Sequence, residues 1–168
     1  AVMMRGGARY VFPCFDRLTP KPRFRLTARV ERGLIAVSSA PISQTYTDAE
    51  TGKTVIQFEE TPPLLIHELA LCVGDMEATE PRLADGIPVR VWVPRGKGRS
   101  AAHTRDVAAR FLSHYRSYFG APYPWRKLDL VAVLNARWSA FNEAGVILLD
   151  AGRTLVDPDT PAGEQAWP

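Results

Sequence analysis

Only one stretch of the 168 residues carries a clear helical period, and this limits what the chain can fold into. Val107, Ala108, Phe111, Leu112, Tyr115 and Phe119 recur at spacings of three and four, the pattern of one apolar stripe on a helix. Ser100 suits the N-cap, Gly120 the C-terminal stop, and Pro122 lies just beyond it. The spacing therefore predicts a helix over 100–119 that packs its stripe into a core. The other regular segments are short and extended. Residues 24–30 alternate apolar and polar, as do 88–93, and 34–38, 54–58, 128–134 and 146–149 are brief apolar runs. The chain reads as α+β, with antiparallel strands first and then strand, helix, strand, strand.

Between these runs the punctuation is local. Residues 8–16 form an apolar run closing on a Pro and an Asp, a strand or a turn corner. Residues 48–53 have turn chemistry, with Gly52 free to take positive φ. Pro62-Pro63 stops any helix and starts an extended run over 64–73, closed by Gly74-Asp75. Residues 81–86 read as a polar connection. A boundary near residue 88 divides the chain into 1–87 and 88–168. The opening Ala1-Val2-Met3-Met4-Arg5-Gly6-Gly7 and the polar tail 161–168 both read as cut points, so a fragment is expected.

Composition excludes some function classes. The apolar content of 46% is too high for a disordered chain. No apolar run approaches the ~20 residues that cross a bilayer, so no membrane span is expected. The opening apolar stretch is too short for a secretion signal. Net charge is +3, and the Lys and Arg residues are spread along the chain. The densest run, Arg95-Gly96-Lys97-Gly98-Arg99, reads as a solvated loop before the helix, so no nucleic-acid partner is expected. Cys14 and Cys72 form no CxxC pair. Buried thiols in neighbouring strands and a disulfide both remain open. The compartment is undetermined, with a cytoplasmic setting preferred.

Two motifs fall short of the chemistry they suggest. His67-Glu68-Leu69-Ala70-Leu71 approaches the zinc motif HExxH, which needs two His at i and i+4 on one helical face. Position 71 is Leu, and in an extended run positions 67 and 71 would stand over ~13 Å apart at ~3.3 Å per residue. Gly52-Lys53-Thr54 has the end of a phosphate-binding loop but lacks the earlier Gly and a following helix. A hairpin turn is expected there. His103 and His114 are expected to be exposed on the helix.

Four segments in order resemble the zinc aminopeptidases of the aminopeptidase N and puromycin-sensitive type. Ala8-Arg9-Tyr10-Val11-Phe12-Pro13-Cys14-Phe15-Asp16 is similar to A-R-x-x-F-P-C-x-D-E-P, with Arg17-Leu18 in place of the Glu-Pro. Phe58-Glu59-Glu60-Thr61-Pro62-Pro63, then Leu69-Ala70-Leu71-Cys72-Val73-Gly74-Asp75, is similar to F-x-x-T-P-P-M-x-x-Y-L-x-A-F-x-V-G-D. Tyr118-Phe119-Gly120-Ala121-Pro122-Tyr123-Pro124, then Lys127-Leu128-Asp129, is similar to Y-F-G-x-P-Y-P-x-x-K-L-D. Ser139-Ala140-Phe141-Asn142-Glu143-Ala144-Gly145 stands where the family has G-A-M-E-N-x-G. The resemblance spans about residues 7 to 156.

The resemblance implies a fold. Residues 1–87 would be the latter part of a saddle-like antiparallel β-sandwich domain, and 88–168 the opening α/β portion of a thermolysin-like catalytic domain. It also implies a site. The family's Glu in that fourth motif binds the substrate's free α-amine, and the motif's backbone lines the scissile bond. The implied substrate-binding residues are Ser139, Ala140, Phe141, Asn142, Glu143 and Gly145. Acid and amide are exchanged here: Asn142 takes the Glu place and Glu143 the Asn place. Neighbouring strand residues face opposite ways. Either a bulge shifts Glu143 into the role, or the amine site is degenerate.

The family's HExxH, its distant Glu and its catalytic Tyr are not in this sequence, so no catalytic residue and no metal ligand is assigned. Zinc is expected in a complete family member and not in this chain. The implied partners are a peptide N-terminus and the rest of the catalytic domain. Two other readings stay open. One is a non-catalytic relative serving as a scaffold or protein-binding module. The other is an unrelated β-sandwich binding module with an α/β unit appended.

Overall fold

The computed structural model describes residues 1–3, 7–15, 19 and 21–155. Asp16, Arg17, Leu18 and the tail 161–168 lie outside the described residues. The chain forms two compact units. Ala1–Asp75 with Asn142–Val146 make the first, and Met76–Phe141 with Ile147 onward make the second.

The first unit is built from β1 (Val2–Met3), β2 (Thr27–Val30), β3 (Ile35–Ser38), β4 (Ile42–Thr47), β5 (Thr54–Phe58) and β6 (Leu71–Gly74). They pair antiparallel in two three-stranded sheets, ordered β1-β6-β3 and β2-β5-β4. Val30, Ala36, Ala40, Ile56 and Phe58 form its core, with Leu26, Leu34 and Val73 packed against them. The β-rich character follows the sequence expectation. Strand β4 was not legible because all six of its residues are exposed. With neither face buried, it has no apolar alternation to announce it.

Gly52-Lys53-Thr54 closes the β4–β5 hairpin, as expected. Gly52 takes φ +67°. The Asp48 carboxylate accepts from the amides of Glu50 at 2.9 Å and Thr51 at 3.2 Å. The Thr51 and Glu50 amides hold the Asp48 carboxyl below its ordinary range.

Of the two readings open for residues 8–16, a strand or a turn corner, Ala8–Tyr10 takes the turn, as a short 3-10 segment. Two expectations in this unit need correction. Cys14 sits outside the strands, while Cys72 is buried in β6, and the two form no disulfide. The run 64–73 is interrupted by a 3-10 turn at Ile66–Glu68 before β6 begins. The Glu68 carboxylate accepts the Leu65 amide at 2.7 Å, and the Glu68 amide donates to the Leu65 carbonyl at 2.9 Å. These reciprocal bonds close the turn, as a capping box closes a helix start.

The second unit contains β7 (Met76–Ala78), β8 (Arg82–Ala84), β9 (Ile87–Pro94), α1 (Ala102–Phe119), β10 (Leu128–Val133) and α2 (Ala151–Thr154), with the start of β11 (Ala140–Glu143) and most of β12 (Val146–Asp150), whose connecting residues Asn142–Val146 belong to the first. The sheet runs β11-β12-β10-β9-β7, and β8 also pairs with β9. Strands β9 and β10 are parallel, with Leu128 opposite Val89 and Asp129 opposite Arg90. A parallel pair needs a crossover, and α1 supplies it. Residues 81–86 are not a plain connection. Asp85 and Gly86 take φ +50° and +85° and turn β8 antiparallel onto β9, the Asp-Gly hairpin chemistry.

Helix α1 ends at Gly120 (φ +63°) as expected. Its start differs: a 3-10 turn over Gly98–Ala101 precedes it, and Ala101 rather than Ser100 occupies the N-cap position, with no side-chain cap. His103 and His114 are exposed. The stripe has the expected period, and its Ala108 and Leu112 meet the core as expected, but its aromatic members do not. Ala101 and Ala109 are buried, with Ala108 and Leu112 packed beside them, against Val89, Val91, Val93, Leu128 and Leu130. Phe111, Tyr115 and Phe119 are 53%, 50% and 68% exposed. They stack along the outer face with ring centroids 5.9 and 5.8 Å apart. Small side chains let the helix approach the sheet, and a period alone does not choose between adjacent stripes. Phe111→Ala should therefore change unfolding free energy by less than ~1 kcal/mol in urea titration. A loss of ~3–5 kcal/mol would place that ring in the core. Among the described residues no helix is long and apolar enough to cross a membrane.

Asp106 links α1 to β8. Its carboxylate meets Arg105 at 2.8 Å and Arg82 at 3.2 Å. Burial pushes this carboxyl up, but the hydrogen bonds from Arg105 and Arg82 outweigh it and hold the group below 3.8. A depressed carboxyl contributes stability above its unfolded pKa and loses it as pH falls through the folded one. Asp106→Asn should therefore flatten the acid limb of a thermal-midpoint profile below about pH 3.8. An unchanged limb would assign the ion pairs no share in it.

The Lys127-Leu128-Asp129 motif has a structural meaning. Leu128 and Leu130 face the α1 core. On the alternate side, the Lys127 ammonium lies 2.8 Å from the Asp129 carboxylate, both almost wholly buried, and Arg90 Nε donates to Asp129 at 3.3 Å. Burial, and then the Asp129 charge, push the Tyr123 phenol well above its ordinary range.

Candidate functional site

The residues expected to meet a substrate amine lie on β11 and the turn into β12. Ser139 accepts the Asp150 amide through its carbonyl at 3.0 Å, which ties the base of the hairpin. Ala140 is exposed, and Phe141 is half-buried. The Phe141 ring meets Trp138 edge to face, with centroids 5.0 Å apart and planes at 78°. The turn residue Gly145 takes φ +67°, a backbone that an L side chain resists.

Asn142 and Glu143 are separated by exposure. Asn142 is open to solvent, while Glu143 is only 8% exposed. This is the alternation of an unshifted strand. The position that resembles the family's amine-binding Glu is thus the exposed one, and it carries an uncharged amide. The acid lies inward, next to the buried Ala144 and Val146.

The tip of the hairpin is held by a contact that sequence reasoning missed. The Ala144 amide donates to the Glu68 carbonyl at 2.9 Å. Ser39 Oγ donates to the same carbonyl at 3.4 Å and accepts the Ala70 amide at 2.9 Å. Glu68 attracts notice in the sequence only as part of a failed zinc motif. The pairing of two segments some 75 positions apart has no sequence signal without co-variation.

The donor set does not fit zinc. His67 lies in the turn that Glu68 closes, followed by Leu71 at the start of β6. Among the described residues no three His, Cys, Asp or Glu side chains gather as metal ligands. The Phe12-Pro13-Cys14 motif instead lines an apolar recess of about 200 Å³ with Phe15, Pro22, Phe24 and Ile66.

Residues 3–64 match the peptidase M1 N-terminal domain. Beyond that segment, similarity continues across nearly the whole chain. A Caenorhabditis elegans puromycin-sensitive aminopeptidase is 28% identical over 94% of this chain and 17% of its own length. An Arabidopsis thaliana aminopeptidase M1 is 30% identical over 89% of this chain and 17% of its own. The chain belongs to the M1 aminopeptidase family. An Acetobacter pasteurianus aminopeptidase N is 31% identical over 90% of this M1 chain, which spans 42% of that relative. The chain thus covers about one sixth of the first two relatives and under half of the third.

Proposed function

We propose that this chain is the part of a zinc-dependent aminopeptidase that joins its saddle-like N-terminal β domain (1–87) to the opening of its thermolysin-like catalytic domain (88–168). In the whole protein a metal held elsewhere would supply the activated water and the Lewis acid. This chain contributes the hairpin 139–145 as the face that meets the peptide's leading amine. The observation that carries this reading is the exposed Asn142 at the family's amine-binding position, on a hairpin anchored at both ends.

Asn142 accepts a hydrogen bond from an ammonium through its side-chain oxygen, without the charge a carboxylate would bring. Ser139, Ala140, Phe141 and Gly145 set the backbone, while Glu143 faces inward and the Ala144 amide anchors the tip on the Glu68 carbonyl. The exposed aromatic face of α1 supports a larger protein. Contiguous apolar patches mark contact surfaces, and the rest of the catalytic domain is the occupant we assign to it. The test is an NMR titration of this chain with trialanine amide and with its N-acetyl form. Selective shifts at 139–145 with the free amine support the site; equal responses to both peptides would refute it.

The uncharged Asn142 also favours a second reading, a non-catalytic relative that acts as a scaffold. Release of nitroaniline from aminoacyl nitroanilides by the longest expressible protein carrying this chain separates the two. Turnover there would retire the scaffold.

A further inference from the structure

We propose that Glu68 is a positioning residue for the amine-facing hairpin, a role that rests on the reading of 139–145 just given. Glu68 acts through two groups. Its carboxylate accepts the Leu65 amide at 2.7 Å and closes the 65–68 turn. That turn fixes the direction of the Glu68 carbonyl, which accepts the Ala144 amide at 2.9 Å and the Ser39 hydroxyl at 3.4 Å. Both acceptor directions of one carbonyl are therefore used.

The geometry decides what this does. Ala144 is 3% exposed and directly follows Glu143, two residues from Asn142. Fixing its amide fixes the strand end that turns Asn142 outward and Glu143 inward. The bond joins two elements of the same compact unit, so it is not a contact of passing segments. Ser39 holds the far side of the turn by accepting the Ala70 amide, and Ser38 Oγ donates to the Ala70 carbonyl at 2.7 Å. The turn is thus bonded to β3 and its following residues, and the hairpin tip is bonded to the turn. Without the Glu68 carboxylate the turn keeps only the Glu68 amide bond to the Leu65 carbonyl, and the carbonyl that orients Ala144 is held less firmly.

The experiment uses the full 168-residue chain in an Asn142→Glu background, where the hairpin presents a carboxylate. Affinities for trialanine amide and N-acetyl-trialanine amide are measured by NMR titration, with exchange of the Ala144 amide followed in parallel. Asn142→Glu alone should prefer the free amine by about tenfold. Adding Glu68→Ala should remove most of that preference and speed Ala144 exchange, because a small misplacement of a binding group is costly. Adding Glu68→Gln, which keeps an acceptor for the Leu65 amide, should restore both. If Glu68→Ala does not fold, Glu68→Asp, too short to reach that amide, replaces it. A preference that survives Glu68→Ala overturns the positioning role and leaves the hairpin reading standing. No amine preference in Asn142→Glu alone overturns both. The ratio of the two affinities is the decisive readout, since general loosening lowers both alike.

Discussion

Lys127→Met is expected to destabilise the chain by roughly 3–5 kcal/mol in chemical denaturation, the typical cost of stranding one partner of a buried ion pair. Lys127 and Asp129 are 3% and 2% exposed in their side chains and 2.8 Å apart. Removing the ammonium leaves Asp129 with the Arg90 guanidinium at 3.3 Å, and Arg90 is 29% exposed. The remaining charge is then poorly compensated. The double variant Lys127→Met with Asp129→Leu should recover most of the loss, because replacing a whole buried pair with apolar groups is often neutral. A single variant costing under ~1 kcal/mol would mean the pair is solvated in solution.

Asn142→Glu is expected to raise the chain's preference for a free-amine peptide over its acetylated form by about tenfold, or ~1.4 kcal/mol. The position is exposed, so the new carboxylate carries little desolvation cost. A charge-assisted hydrogen bond to an ammonium contributes ~1.5–3 kcal/mol when well formed, and solvent reduces that here. Asn142→Gln lengthens the side chain without adding charge and should gain nothing. Equal gains from Glu and Gln would mean that reach, not charge, limits binding, and the amine-facing assignment of this position would fall.

The fold was legible where one face of an element is buried. Strands β2, β3, β5, β9, β10 and β12 each bury apolar residues and were expected within a few positions. Strand β4 buries nothing and gave no pattern. Asp85-Gly86 carried a clear hairpin signal that a polar composition masked. For α1, Phe, Tyr and Phe drew the stripe to the outer face, while the chain buries Ala there. The 139–145 segment drew notice in the sequence through its resemblance alone. Which of Asn142 and Glu143 faces outward required strand phase, and the hold of Glu68 on Ala144 required the tertiary fold. The Glu68 carboxylate also explains the break at 66–68, since a side chain three positions on competes for the Leu65 amide that an extended run would leave to a sheet.

The central claim is that this chain offers a hold on a peptide's leading amine and brings no metal of its own. The direct measurement is zinc content by mass spectrometry together with nitroaniline release from aminoacyl nitroanilides by the purified 168-residue chain. The account predicts neither bound zinc nor turnover. Stoichiometric zinc retained through dialysis, with steady turnover that a chelator abolishes, would contradict it.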